Sequence, residues 1–252
     1  MIEILEVSKS YGNKRVLANV TASLPEKKVI AFIGSNGAGK STLLSLISRL
    51  LFKDSGAIRV DGTEVGDWDS RELAKKLAVL RQNNQSDIKF TVRELVSFGR
   101  FPHSRGRLTA ADEEKIDQAL VYMDIADIQH RFMDELSGGQ RQMAYIAMVI
   151  AQDTDYILLD EPLNNLDIRH SVGMMRTLRR LVEDMGKTVL IVIHDINFVS
   201  CHADYVLALR DGRLVACGDK EAVITPAVLE KIYGLDIDIR DYDGDKICVY
   251  FR

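Results

Sequence analysis

The feature that most constrains this chain is a strand, a glycine-rich loop and a helix in immediate succession. Val29-Ile30-Ala31-Phe32-Ile33 is a short continuous apolar run of the kind buried inside a sheet. Gly34-Ser35-Asn36-Gly37-Ala38-Gly39-Lys40-Ser41-Thr42 follows it, fits the spacing G-x-x-x-x-G-K-[ST], and opens an apolar helix expected over residues 43–51. Its glycines let the backbone curl until successive amide N–H groups and the helix N-terminus converge on a phosphate chain. Lys40 adds a point charge, and Ser41 adds a hydroxyl for Mg²⁺.

Further strand-like runs lie at residues 2–7, 57–60, 77–80, 156–159, 188–193, 205–209 and 213–216, alternating with helical stretches. Continuous apolar strands such as Ile157-Leu158-Leu159 and Val189-Leu190-Ile191-Val192-Ile193 suit a sheet covered on both faces, so the class is α/β. Asp61-Gly62 and Asp211-Gly212 supply turn chemistry for hairpins, which predicts an antiparallel β part beside the main sheet. From about residue 92 to residue 152 strand signals vanish. This predicts one domain over 1–252, in which a catalytic core of 1–84 and 156–252 carries an inserted helical lobe, 85–155. Within the lobe, Thr109 and Asp112 have capping spacing, and the acidic cluster of Asp112, Glu113 and Glu114 reads as a solvated helix end.

A net charge of -4 with no clustered Lys/Arg argues against a nucleic-acid binder. Three cysteines without C-x-x-C spacing read as reduced thiols. The acidic N-terminus does not look like a signal peptide, and no run reaches the roughly 18 apolar residues of a spanning helix. Any membrane work falls to another subunit.

Two more segments carry chemistry. Tyr156-Ile157-Leu158-Leu159-Asp160-Glu161 is an apolar strand ending in adjacent carboxylates. Neighbouring side chains on a strand face opposite ways, so one acid can hold hydrated Mg²⁺ while the other accepts a proton from an attacking water. Leu136-Ser137-Gly138-Gly139-Gln140 opens a helix with two glycines in its first turn, costly unless something must approach the backbone.

With these motifs the chain resembles, over its whole length, the nucleotide-binding subunit of an ATP-binding cassette (ABC) transporter. The resemblance implies a P-loop NTPase, RecA-like core with an antiparallel β subdomain and an inserted α-helical subdomain. It also implies ATP and Mg²⁺ as cofactors. Two such cassettes pair head to tail, so that Ser137, Gly138, Gly139 and Gln140 meet the γ-phosphate held by the other subunit's residues 35–42. The family pattern puts adenine on Tyr11, Mg²⁺ on Ser41, Asp160 and Gln82, the general base at Glu161 and a γ-phosphate contact at His194. Gln82 follows its strand directly, and Gln85 is a nearby alternative. Leu163-Asn164-Asn165-Leu166-Asp167 occupies the D-loop that crosses the dimer seam, with Asn-Asn where Ser-Ala is common.

Gly99-Arg100-Phe101-Pro102-His103, the Glu161 to Asp167 stretch and residues 218–225 resemble the iron-siderophore and vitamin B12 importer branch. The expectation is an import ATPase. It acts as a homodimer below two permease subunits at the cytoplasmic face of the bacterial membrane, served indirectly by a substrate-binding protein. The expected cargo class is a ferric siderophore, with vitamin B12 or haem as alternatives. Phe98, Phe101 and His103 are expected in a loop-like segment at residues 97–107 that receives a permease helix; Phe101, flanked by Arg100 and Pro102, is the expected exposed contact, while Phe98 reads either as a contact or as packing in the lobe's own core. A soluble non-transport ABC ATPase is the rival reading; a P-loop kinase is disfavoured by residues 136–140.

Overall fold

The computed structural model describes residues 1–81, 89–164 and 166–250. The chain divides into two units: Met1–Trp68 with Arg179–Arg252, and Asp69–Leu178.

The first unit opens with strands β1 (Ile2–Tyr11), β2 (Lys14–Leu24) and β3 (Val29–Ile33), helix α1 (Lys40–Ile47), and strands β4 (Ser55–Val60) and β5 (Thr63–Glu64). Strands β2, β1, β4 and β5 form an antiparallel sheet in that order. Its last turn is Asp61-Gly62, both at positive φ (51° and 80°), the geometry that matches hairpin twist. The expected helix over 43–51 is shifted: α1 begins at Lys40 and ends at Ile47.

The second unit holds α2 (Ser70–Lys76), β6 (Leu77–Leu80), α3 (Val92–Phe98), α4 (Phe101–Ser104), α5 (Ala110–Tyr122), α6 (Gly138–Ala151), β7 (Tyr156–Asp160) and the first part of α7 (Ile168–Met185). Strands β6 and β7 pair in parallel, Leu77 against Tyr156 through Leu80 against Leu159. Helices α3 and α5 both pack on α6. They bury Val92, Val96, Ile116, Ala119, Leu120, Ala144 and Ala147 between them. This unit is wider than the expected 85–155 lobe, because it also takes in α2, β6, β7 and the start of α7.

The chain closes in the first unit with β8 (Thr188–Val192), α8 (Ile196–His202), β9 (Tyr205–Arg210), β10 (Arg213–Asp219), α9 (Lys220–Val223), α10 (Pro226–Tyr233), β11 (Asp238–Tyr242) and β12 (Asp245–Val249). Strand β3 lies between β8 and β9, parallel to both, and β10 runs antiparallel beside β9. Every residue of β3 and β8 is buried, which is why both sequences are unbroken apolar runs.

Two strand groups differ from the sequence reading. Strand β2 escapes a period-two reading because Asn19 has φ 50° and the β1 pairing shifts register three times. The β11–β12 hairpin turns at Asp243-Gly244, again with both residues at positive φ. Its Cys248 backbone is gripped by Asn197 of α8, whose side-chain oxygen accepts the Cys248 N–H at 2.7 Å.

Candidate nucleotide site

Register puts the phosphate loop and His194 at one sheet edge. Phe32 of β3 pairs with Val192 of β8, so Gly34 and His194, each two residues further on, leave their strands at the same end. Gly34 has φ 145°, and a Cβ there would lie 2.1 Å from the Leu209 carbonyl oxygen. Gly39 has φ 100° just before α1, and a Cβ there would meet Leu17 at 2.6 Å and the Val16 carbonyl at 2.9 Å. No other residue fits either place without moving a neighbouring backbone. The Lys40 side chain is buried and its Nζ donates to the Gly34 and Ser35 carbonyl oxygens at 2.8 and 3.0 Å. Ser35, Ser41 and Thr42 are half-buried, and Asn36 and Gly37 are exposed. Tyr11, at the β1–β2 turn, is 50% exposed, with Lys9 Nζ 5.8 Å from its ring centre. His194 is exposed, and the next residue, Asp195, caps α8 by accepting the Asn197 and Phe198 N–H groups.

In the second unit Asp160 ends β7 with its side chain buried. Glu161 follows with φ 52°, a left-handed conformation that costs a glutamate of order 1 kcal/mol and gathers at functional positions. Its Oε2 accepts a hydrogen bond from Asn164 Nδ2 at 2.5 Å, and its carbonyl accepts the Asn164 N–H at 3.2 Å. Gln82 and Asn165 lie outside the described residues.

Ser137 caps α6: its Oγ accepts the Gln140 N–H, and the Gln140 side chain accepts the Ser137 N–H, each at 3.2 Å. Ser137 and Gly138 are exposed. At Gly139 part of the glycine's face is taken by the chain itself. A Cβ there would touch the His170 ring at 3.4 Å. In the sequence His170, like His103, His130 and His202, shows no spacing for a shared metal site; its spacing of three from Asp167 is the one local signal of the contact seen here.

The siderophore-type segment at residues 99–103 corrects two expectations. Phe101 is 62% exposed as expected, yet it begins the helical turn α4 where a loop was expected. Phe98 is 46% exposed and packs edge-on against Phe90 at 4.9 Å between centres. Asp112 is not solvated. It is buried against the equally buried Arg100, Nε to Oδ1 2.9 Å, while Arg100 also donates to the Ala151 carbonyl at 2.8 Å. Hydrogen bonds from the Thr109 backbone first, then its hydroxyl and Arg100, hold the Asp112 carboxyl down at about 2.

Comparison with known proteins decides the family. A family model described as ABC transporter matches residues 17–164. The chain belongs to the ABC transporter family. Over 251 residues it is 57% identical to the petrobactin import ATP-binding protein YclP of Bacillus subtilis (strain 168), with both chains covered 100%. A structure described as an inward-facing metal-chelate type ABC transporter aligns with a TM-score of 0.85 at 25% identity, over 99% of this chain and 98% of the other. The dimeric bacterial ABC transporter cassette MJ0796 aligns with a TM-score of 0.78 at 29% identity, over 87% and 99%. As an ABC ATP-binding protein the chain is an ATPase. Among the described residues no helix is long and apolar enough to cross a membrane.

Proposed function

We propose that this chain is the ATP-hydrolysing subunit of a ferric-siderophore importer, with petrobactin as its cargo. Its full-length 57% identity to a petrobactin import ATP-binding protein carries the reading. It works as a homodimer on two permease subunits at the cytoplasmic membrane face, and the permeases receive the chelate from a substrate-binding protein. The cargo never touches this chain; identity along the whole length speaks for the same kind of permease partner.

The residues fit nucleotide and metal. The curled loop, its buried Lys40 and the head of α1 supply amides and charge for phosphates. Ser41, Asp160 and Gln82 are hard oxygen donors of the kind Mg²⁺ takes, and the metal would neutralise charge on the phosphates. Lys40 contacts the terminal phosphates of the ATP bound to its own subunit, and Ser35, Asn36, Gly37, Ala38, Gly39 and Thr42 wrap the phosphate chain. Tyr11 offers its exposed ring to adenine. Ser137, Gly138, Gly139 and Gln140 present the α6 N-terminus to the partner's γ-phosphate. Glu161 accepts the proton of the attacking water, and His194 donates to the γ-phosphate.

The test is uptake. Cells lacking the chain should fail to take up radio-iron as ferric petrobactin, and the wild-type chain but not Glu161→Gln should restore it. Undiminished uptake without the chain would overturn the assignment.

A further inference from the structure

We propose that His170 is a positioning residue that ties the D-loop to the signature helix, and so links the general base of one ATP site to the phosphate contact of the other. This link presupposes the head-to-tail dimer proposed above. Asp167 caps α7: its carbonyl accepts the Ser171 N–H at 2.9 Å, and its Oδ1 accepts the His170 N–H and Nδ1–H, each at 2.8 Å. One carboxylate oxygen therefore holds both the backbone and the ring of His170. The same contacts, backbone first, keep the Asp167 carboxyl below the usual carboxylate range.

The held ring lies over Gly139. Its Cγ, Cδ2 and Nδ1 stand 3.4, 3.5 and 3.5 Å from where a Gly139 Cβ would be. At the other end of the D-loop, Asn164 grips the Glu161 carboxylate at 2.5 Å. Contacts thus run from Glu161 to Asn164 near the start of the loop, and from Asp167 at its end through His170 to Gly139. Glu161 acts on the ATP held by its own subunit, and Gly139 faces the ATP of the partner. A γ-phosphate seated on Gly139 settles the D-loop through His170, and the D-loop orients the base at the opposite site. Misplacing a catalytic group by about 1 Å costs on the order of 10²-fold in rate, so a small displacement suffices.

In the purified importer, ATP hydrolysis is measured against ATP concentration for wild type, His170→Ala, His170→Asn and His170→Phe. Asn keeps a donor at the Nδ1 position but loses the ring; Phe keeps the ring but loses the donor. The expected result is a kcat lowered about tenfold or more in Ala and less in Asn and Phe. The Hill coefficient falls below wild type, and ATP affinity of the isolated chain stays within about twofold. Amide hydrogen exchange at Gly139 and Gln140 should quicken in Ala, while β3 exchange is unchanged. A wild-type rate and Hill coefficient in His170→Ala would overturn the proposal. So would early melting of all three variants with proportionate loss of ATP affinity, which marks an ordinary packing residue. Ser137→Arg runs in parallel: if it hydrolyses normally, the head-to-tail dimer itself fails, whereas an inactive Ser137→Arg beside a normal His170→Ala refutes the His170 link alone.

Discussion

Asp112→Asn is the sharpest test of what holds the helical part of the second unit together. The substitution is nearly isosteric, and the new amide oxygen can still accept from Thr109, so most of the helix cap survives. What it removes is the negative charge opposite Arg100, leaving a buried guanidinium that still donates to the Ala151 carbonyl. Breaking a buried ion pair by removing one partner costs about 3–5 kcal/mol, and the retained cap argues for the lower end, about 3 kcal/mol. For a chain of this size that lowers Tm by roughly 6–12 °C. Urea unfolding of the isolated chain followed by circular dichroism measures it. The sign of the pH effect follows from the carboxyl's depression from 3.8 to about 2. The stabilisation is fully present above about pH 4 and is lost as pH falls towards 2, and Asp112→Asn should remove that slope. Adding Arg100→Met to Asp112→Asn should cost less than the sum of the two, because the orphaned charge is gone. A loss below about 1 kcal/mol, or full additivity, would refute the buried-pair account.

Glu161→Gln should keep ATP binding, reduce turnover by about 10²- to 10⁴-fold, and trap an ATP-bound dimer visible by size-exclusion chromatography; near-normal steady-state hydrolysis would remove Glu161 from the role of base. Lys40→Ala should weaken ATP binding to the isolated chain by about tenfold or more, the scale of one charged hydrogen bond, whereas Ser137→Arg should leave it unchanged. Equal losses in calorimetry would put both motifs in one subunit's site. Phe101→Ala, at a 62% exposed side chain, should shift stability by less than about 0.5 kcal/mol and spare basal hydrolysis, yet sharply reduce permease-coupled hydrolysis. Full coupled activity would move the docking surface elsewhere.

Where a local pattern suffices, the sequence is readable. Strand β3 and its loop announce themselves because burial on both faces demands an apolar run and phosphate binding demands glycines at fixed spacing. The Asp61-Gly62 and Asp211-Gly212 turns follow from the φ > 0 their hairpins require, and both pairs adopt it. Asp243-Gly244 carried the same signal at a third hairpin. What stayed hidden depends on distant partners. Nothing near Asp112 says that Arg100, twelve residues earlier, will fold back and bury it. The bulged register of β2 and the left-handed backbone of Glu161 are likewise set by the surrounding structure, since a glutamate has no intrinsic preference for φ 52°. Residue types and spacing named the phosphate loop and its strand-end acids. The contact of His170 with Gly139 came only from the fold.

In the proposed function, ATP hydrolysis by this chain drives entry of a ferric siderophore. The most direct measurement reconstitutes the chain with its co-purifying permease in lipid vesicles, adds binding protein loaded with ferric petrobactin, ferric enterobactin, vitamin B12 or haem, and follows phosphate release. Ferric petrobactin should stimulate hydrolysis several-fold, and vitamin B12 and haem should not. Stimulation by vitamin B12 or haem with none by a ferric siderophore would contradict the proposed function.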